Sequence, residues 1–263
     1  MPAIRTTVLI LTAMPLLAGC GMGQLFKLSA DRQKGAELVA LAADMETRGD
    51  AETALALYQR AATNGSAAMQ QALGDAYLRH GRIAAAIAAY KAALASDARA
   101  ARAQLGLGFA QIRAGQIDEG LANLRVAAPR VDTAVAYNRL ATAEAMAGDV
   151  LAAKASLQKA LSLAPGDLDL KTNLALLAAV NGERDAAVAA MQEVVRTAAA
   201  QPGHERNYIM VLGLTGREDE ARRLTLPGLP KRQVATILAR AKSIRALRDI
   251  AARSRALGTV SSV

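Results

Sequence analysis

Apolar residues recur with a helical period through the stretch Val135–Pro165, which reads VAYNRLATAEAMAGDVLAAKASLQKALSLAP. They return every three or four positions on both sides of Gly148, which predicts two short amphipathic helices. Gly148 and Asp149 form the predicted turn, because glycine favours the end of a helix and aspartate caps the start of the next one. Pro165 closes the pair, since proline cannot continue a helix. Such a short pair has little to bury alone, so its packing partners must come from elsewhere in the chain.

The same pattern recurs along the chain at a nearly constant spacing. A glycine at the predicted end of a helix returns in steps of 32, 34, 33, 34 and 34 residues, at Gly49, Gly81, Gly115, Gly148, Gly182 and Gly216. Small residues also keep constant offsets from these glycines, before them at Ala42, Gly74, Gly108, Ala141 and Ala175, and after them at Ala54, Ala86, Gly120, Ala153, Ala187 and Ala221. Small side chains allow two helices to approach closely, so these positions are the predicted crossing points.

This period, with small residues at the crossing points, resembles the tetratricopeptide repeat, a helix–turn–helix unit of 34 residues. The resemblance implies an all-α, right-handed superhelical solenoid of about six units over residues 34–228. The tryptophan that the family usually has near the start of the first helix is absent from every unit. The sixth unit, Pro202–Leu226, is the least regular, because Ile209 and Thr225 stand where a small and a bulky residue are expected. Terminal repeats are often atypical because they cap the stack.

Composition agrees with a helical array and limits the chemistry of the chain. Aromatic residues make up 3% of the 263 residues, and no alternating run of β-branched residues predicts a strand. One cysteine and two histidines exclude a disulfide framework and make a zinc site built from protein ligands alone improbable. We therefore expect no cofactor and no metal.

Residues 1–19 read as an export signal. Arg5 supplies the positive charge, and an apolar stretch too short to span a bilayer follows it. The tetrapeptide Leu17-Ala18-Gly19-Cys20 resembles a bacterial lipobox, which implies cleavage after Gly19, a diacylglyceryl thioether on Cys20 and acylation of the new amino terminus. Gly21 follows the cysteine instead of Asp, which by the enteric sorting pattern implies the outer membrane. The alternative is a plain cleaved signal with an incidental cysteine.

Two segments flank the predicted array. Residues 20–33 are expected to form a lipidated tether, with Ser29 or Asp31 capping the first true helix. After the turn-rich linker Thr225–Lys231, a single helix is predicted over Lys231–Leu257 as the capping helix of a domain spanning residues 229–257. An apolar stripe runs along it until Arg245 and Arg248, where we expect the helix either to bend or to project past the solenoid. Residues 258–263 read as a frayed tail.

The predicted terminal helix carries most of the charge of the chain. Its eight Lys and Arg residues against the single Asp249 give +7 of the total of +9. Three interpretations stay open: contact with anionic lipid head groups, contact with an acidic partner, and a solvated outer face whose arginine stems pack on apolar neighbours. Nucleic acid is not favoured, because no aromatic residues for base stacking lie between the cations.

The concave face of a tetratricopeptide solenoid, formed by the first helices, is its usual partner surface. Side chains at the corresponding offset are the candidate partner groove: Gln71, Asp75, Arg79, Phe109, Arg113, Asn138, Thr142, Thr172 and Arg206. Phe109 either anchors a bound peptide in this groove or packs between helices. The lysine and asparagine clamp of some chaperone adaptors is not evident, since Asn138, Asn173 and Asn207 lack flanking lysines.

No arrangement of residues points to catalysis. The Gly106-Leu107-Gly108 motif lacks a third glycine and a preceding strand, so it indicates close helix packing and not nucleotide binding. His80 and His204 are far apart in sequence and are expected on the surface. No Ser–His–Asp, Cys–His or paired-carboxylate pattern is present. We therefore predict a binding protein, not an enzyme, with no small-molecule substrate and no nucleic-acid partner.

The lipobox followed by an alanine-rich array resembles the small tetratricopeptide lipoproteins of tight-adherence (Tad/Flp) pilus systems. That resemblance implies a periplasmic protein anchored to the outer membrane through the lipid on Cys20, which helps the pilus secretin to assemble or reach its place. The alternatives are a scaffold for type IV pilus secretin or outer-membrane β-barrel assembly, and a regulator of cell-wall enzymes.

Overall fold

The computed structural model describes residues 19–63, 65–226 and 228–258, with side chains described from residue 33 onward. These residues form fourteen α-helices and no strand. Six consecutive hairpins each contribute a first helix and a second helix. The first helices are α1 Gly19–Thr47, α3 Ala67–Arg79, α5 Ala101–Arg113, α7 Ala134–Ala147, α9 Leu168–Asn181 and α11 Pro202–Leu214. The second helices are α2 Ala51–Ala62, α4 Ile83–Ser96, α6 Ile117–Val131, α8 Val150–Leu163, α10 Arg184–Arg196 and α12 Glu218–Arg223, and α13 Lys231–Ala246 and α14 Ile250–Gly258 follow them.

The hairpins stack in chain order, as the repeat pattern predicts. Each second helix packs on its own first helix, and in the first five units also on the first helix of the next unit. First helices of neighbouring units also touch, as α3 does with α5 and α5 with α7, so they share one side of the array. The expectation of an all-α solenoid of helix–turn–helix units is confirmed.

The six periodic glycines end the first helices in the left-handed backbone region. Their φ angles lie between 69° at Gly81 and 90° at Gly148, a region that residues with a Cβ rarely adopt. Asp149 then caps α8 by accepting a hydrogen bond from the backbone N–H of Ala152 at 3.1 Å. The turn that the sequence predicts at Gly148-Asp149 is therefore present, with the capping that was expected.

The small residues lie where helices cross. In the third unit, a Cβ placed on Gly108 would lie 2.8 Å from the carbonyl oxygen of Gly120, so the backbones of α5 and α6 are in contact there. In the second unit, Gly74 makes room for the fully buried ring of Tyr90, which also fills the space beside Gly106. The Gly106-Leu107-Gly108 motif therefore serves close packing, as predicted.

The sixth unit is built differently from the others. Its second helix, α12, has only six residues, and α13 takes over the packing against α11. A Cβ on Gly213 of α11 would lie 2.5 Å from the Cβ of Ala241 on α13. Ile209, which occupies the position of the small crossing residue, is completely buried. The predicted apolar stripe of the terminal helix is present, because its members Val234, Leu238, Ala241 and Ile244 are buried.

The prediction of one helix over Lys231–Leu257 was wrong in its second half. The helix ends at Ala246, and a short turn at Leu247–Asp249 leads into α14. Of the two alternatives given by Arg245 and Arg248, the chain bends, and α14 packs back onto α7 and α9. Arg245 helps to fix this bend, since its guanidinium donates to the carbonyl of Gly213 at 3.0 Å and pairs with Glu218 at 2.7 Å.

The first helix begins earlier than predicted. It already runs through residues 19–33, so the expected cap at Ser29 or Asp31 was wrong. Residues 20–33 are helical in backbone, and their role as a tether stays a prediction. Residues 1–18 of the predicted signal peptide and the tail beyond residue 258 lie outside the described residues, as does the side chain of Cys20. Among the described residues, no helix combines the length and apolar character needed to span a bilayer.

Candidate partner-binding groove

A cavity of about 860 Å³ opens on the side of the array formed by the first helices. Its walls come mainly from α5, α7 and α9, and α14 closes one side of it. Its volume and largely apolar lining are typical of ligand-binding clefts. The main apolar lining residues are Phe109, Ile112, Val135, Met146, Leu176 and Leu177. The main polar lining residues are Arg113, Asn138, Arg139, Thr142, Asn173 and Arg255.

Phe109 packs between helices and also lies at the groove, while its role as an anchor for a bound peptide stays a prediction. One side of its ring packs against the buried cluster around Tyr90 and Leu107, and the residue also lines the cavity. The guanidinium carbon of Arg139 lies 4.5 Å from the centre of the ring, a cation–π arrangement. The pair gives the groove a broad apolar surface with a fixed positive charge above it.

An amide pair joins the first helices of the fourth and fifth units. The side-chain amide of Asn173 donates to the side-chain oxygen of Asn138 at 2.9 Å, across 35 residues of sequence. Thr142 donates to the carbonyl of Asn138 at 2.9 Å, so its hydroxyl is held against its own helix. Asn138, Thr142 and Asn173 therefore add uncharged polar groups to the largely apolar lining of the groove.

The predicted residues on α3 are engaged in contacts within the chain. Gln71 donates to Asp75 at 3.3 Å, and the hydroxyl of Tyr90 also donates to Asp75, at 2.5 Å. Burial of Tyr90 and the nearby charge of Asp75 both raise the pKa of the phenol, so this hydroxyl stays a donor. Gln71, Asp75 and Arg79 do not line the cavity.

Arg79 belongs to a small cluster around Glu46 near the end of α1. Its guanidinium pairs with the carboxylate at 2.7 Å, while the hydroxyl of Tyr58 and the imidazole of His80 each lie 3.2 Å from that carboxylate. Burial alone would raise the pKa of Glu46, but these hydrogen bonds and the charge of Arg79 lower it overall. The cluster ties the first two units together, and it lies apart from the cavity lining.

Two predicted groove residues are not placed for binding in the cavity. Thr172 is 1% exposed and donates to the carbonyl of Leu168, so the prediction that it faces the groove was wrong. A side chain at its position points between helices, which the repeat offset alone does not reveal. Arg206 is exposed on α11 but does not line the cavity.

The expectation of surface histidines was also wrong for His204, which is 5% exposed. Its Nδ1 accepts from the backbone N–H of Gln201 at 2.9 Å, and its Nε2 lies 3.0 Å from a carboxylate oxygen of Asp169. His204 therefore caps the start of α11 and links it to α9. The described residues hold no cluster of His, Cys, Asp and Glu side chains fit for a metal ion.

The charged side chains that line the groove are all positive. Arg113, Arg139 and Arg255 line the cavity, and its described lining includes no Asp, Glu, His or Cys. Arg113 uses one nitrogen to donate to the carbonyl of Leu78 at 3.2 Å, which positions its guanidinium at the rim. The arrangement offers apolar contact, amide hydrogen bonds and positive charge, which suits binding of a protein segment that carries acidic groups.

Sequence reasoning missed several residues of the groove. Arg139 directly follows the predicted Asn138, and its role became visible only from its position over Phe109. Met146, Leu176 and Leu177 are apolar residues of the helix pattern, and nothing in their spacing separates cavity lining from core. Ser254, Arg255 and Leu257 reach the cavity because α14 turns back, for which the sequence gives no local signal.

Comparison with known proteins agrees with this architecture. Residues 72–135 match the family described as tetratricopeptide repeat, a range that covers most of the second unit, the whole third unit and the start of α7. No curated protein sequence is significantly similar to this chain.

Solved structures give the same result for the whole array. A tetratricopeptide repeat protein from Parabacteroides merdae superposes with a TM-score of 0.62 at 14% identity, covering 87% of this chain and 99% of that one. A thermophilic tetratricopeptide repeat protein from Thermus thermophilus gives 0.57 at 21% identity, covering 68% and 98%. PilF from Pseudomonas aeruginosa gives 0.56 at 16% identity, covering 88% and 98%. At these identities the likeness establishes the fold alone. The fold is a tetratricopeptide-repeat solenoid, an architecture typical of protein-interaction scaffolds.

Proposed function

We propose that this chain binds an acidic segment of a protein partner in the groove formed by α5, α7 and α9. The observation that carries the proposal is the groove itself, where apolar side chains, the amide pair and the arginines of α5 and α7, Arg113 and Arg139, converge on one cavity. A contiguous group of apolar side chains rimmed by polar and charged ones is more typical of an interaction surface than of a surface that contacts only water. Its described lining places no carboxylate or imidazole beside the hydroxyls of Thr142 and Ser254, which fits binding and not catalysis.

We further propose that the protein works in the periplasm, anchored to the outer membrane by lipid on Cys20, and assists the assembly or localisation of the Tad/Flp pilus secretin. This finer proposal rests on the lipobox Leu17–Cys20 and the alanine-rich array. The groove adds a surface suited to a protein partner. It does not select among envelope assembly systems.

A photo-crosslinking side chain at position 135 tests the partner directly. Val135 is 60% exposed and lines the cavity, while Leu151 in the second helix of the same unit is 83% exposed and does not. We expect the Val135 variant, irradiated in cells that carry the pilus system, to capture a secretin subunit. The Leu151 variant is the matched control and should not capture it.

The other outcomes of this experiment separate the alternatives. Capture of only the type IV pilus secretin, barrel-assembly subunits or cell-wall enzymes through position 135 would contradict the Tad/Flp assignment while keeping the groove. Equal capture through both positions would contradict the groove as the binding surface.

The membrane anchor has its own test in a Cys20→Ser variant. Loss of the thiol removes the site of lipidation, and several acyl chains are what holds such a protein firmly on a bilayer. We expect the variant to leave the membrane fraction on cell fractionation. A variant that remains there as firmly as the wild type would contradict anchoring through Cys20.

A further inference from the structure

The C-terminal helix α14 lies on the partner surface of the array instead of continuing the stack. It packs across the first helices of the fourth and fifth units, α7 and α9. A Cβ placed on Gly148 would lie 3.2 Å from the Cβ of Ala251, and one placed on Gly258 would lie 3.2 Å from the terminal methyl of Met146. The chain thus covers with its own helix part of the face that a partner would need.

Two arginines hold α14 in place through the ends of the helices beneath it. Arg255 donates to the carbonyl of Met146 at 2.8 Å, and Arg253 donates to the carbonyl of Val180 at 3.3 Å. Met146 and Val180 lie in the last turns of α7 and α9, where carbonyls lack partners within the helix and carry its negative dipole end. The contact is polar and sits at the rim, which makes it easier to break than a buried apolar one.

The apolar docking of α14 onto α7 and α9 is small. Within α14 only Ala251 and Ser254 are buried, and the hydroxyl of Ser254 has no hydrogen-bond partner among the described residues. Ala256 and Leu257 are half-buried and pack against the cluster that includes residues of α13. By contrast, α13 buries Val234, Leu238 and Ile244. A helix of nine residues does not persist alone in water, so α14 keeps its form only while it is docked. It is therefore the element of the C-terminal region that should open first.

Resting on the proposed function, we propose that α14 is a displaceable occupant of the groove. It covers α7 and α9 while no partner is bound, and it is released when a partner segment takes that surface. The open part of the cavity beside Phe109 and Arg139 gives the partner a first contact, and Arg255 leaves the groove together with α14. Binding of the partner and docking of α14 then exclude one another.

Amide hydrogen exchange on the full chain, purified in detergent, measures whether α14 opens. We expect its amides to exchange at least about tenfold faster than the buried part of α13, because only local opening is needed. In a variant with Arg253→Glu and Arg255→Glu, α14 should lose all protection while α7 and α9 stay helical. Equal exchange of α14 and α13 in the wild type would overturn the proposal.

The yield of partner captured by photo-crosslinking measures whether α14 competes with the partner for the groove. When the photo-crosslinking side chain stands at position 135, the Arg253→Glu and Arg255→Glu substitutions should raise the yield of captured partner by about threefold or more. The reason is that a larger fraction of the molecules then has α14 released and the groove free to bind. A matched control with Arg232→Glu and Lys242→Glu, on the exposed face of α13, has the same charge change and should behave as the wild type.

A designed disulfide tests the opposite case, in which α14 cannot leave the groove. With Gly148→Cys and Ala251→Cys, the two Cβ atoms come close to the distance that a disulfide spans. Oxidation should lock α14 down and lower capture, and reduction should restore it. The Gly148→Cys single variant controls for the strain of a side chain at a positive φ.

These experiments keep the two proposals apart. If position 135 captures a partner equally in the wild type, the released and the locked variants, competition by α14 is refuted while the groove stands. If no variant captures any protein, the proposed function fails, and the exchange experiment still decides whether α14 opens.

Discussion

In the third unit, α5 and α6 cross where Gly108 faces Gly120, whereas in the sixth unit the corresponding position is the large, fully buried Ile209. The middle units repeat one close crossing, so each helix pair presents the same shape to the next. The sixth unit has no following unit and only a six-residue second helix, so α13 must close it. In the sixth unit the close approach lies instead between α11 and α13, at Gly213 and Ala241, while Ile209 fills the former crossing position. The small crossing residue is thus a property of the repeated units, and the end of the array uses a different contact.

The interior of the helix pairs shows the same contrast. In the third unit the amide of Asn123 donates to Gln111 at 2.8 Å, and in the fourth unit the hydroxyl of Ser156 donates to Glu144 at 2.7 Å. The residue of the sixth unit that corresponds to Gln111 and Glu144 is the fully buried Leu212. At this one position, the third and fourth units therefore place a polar pair between their first and second helices, whereas the sixth unit places a buried apolar side chain.

Ile209→Ala should give the largest effect. Removing a fully buried side chain leaves a cavity that the enclosed helix α11 cannot fill, so we expect a loss of about 4 kcal/mol in the free energy of unfolding. Urea denaturation measures it. The exposed Leu151→Ala is the control and should change the stability by less than about 0.5 kcal/mol. Similar values for the two variants would show that the C-terminal end is loosely packed.

Gly108→Ala tests the close crossing of the middle units. Its methyl group would lie 2.8 Å from the carbonyl oxygen of Gly120, which cannot move without separating the helices, so we expect a loss of about 2 kcal/mol. Gly213→Ala should also cost about 2 kcal/mol, because its methyl would lie 2.5 Å from the Cβ of the buried Ala241, so α11 and α13 would have to separate. Thermal unfolding of the two variants and the wild type measures both losses in stability.

The control for both is Gly166→Ala. A Cβ there would meet nothing within 4 Å, so the substitution should be neutral or slightly stabilising. If Gly213→Ala were as neutral as Gly166→Ala, α13 would move aside at no cost, and the close contact between α11 and α13 would not stabilise the end of the array.

Asp149→Ala removes a cap that the sixth unit lacks. Asp149 accepts from the N–H of Ala152, whereas Arg217, before α12, makes no side-chain cap. We expect the change to lower the stability by about 1 kcal/mol, and Asp149→Asn to keep most of it. Chemical denaturation of both variants separates the cap from the charge, since Asp149 also pairs with Arg125 at 3.4 Å. Equal losses would assign the effect to the ion pair.

Glu144→Gln should give the smallest effect and the only one that depends on pH. Burial raises the pKa of Glu144, and the hydrogen bond from Ser156 offsets this only in part. Because the pKa in the folded state lies above that in the unfolded state, the wild type loses stability as pH rises through this interval. The glutamine side chain of the variant does not titrate, so we expect the variant to be relatively more stable at pH 8 than at pH 4. A constant difference across this range would show that Glu144 is not perturbed by burial.

The sequence alone determined the array. The phase of the six glycines, the residues at the crossings and the capping of α8 by Asp149 are local properties, since backbone conformation and side-chain size are set by the residue itself. The lining of the candidate groove could be predicted in part from the sequence, because a repeat places equivalent residues on one face. Of the predicted residues, Phe109, Arg113, Asn138 and Thr142 line the cavity.

Only the tertiary structure decided the rest. Thr172 and His204 are buried by neighbours that no local spacing reveals. The turn at Leu247–Asp249 brings Arg255 to the carbonyl of Met146, 109 residues away in sequence, and so places α14 on the groove. A contact of this kind depends on the shape of a surface that exists only after the units have stacked, which is why the repeat pattern could predict which residues share one face but not the helix that covers it.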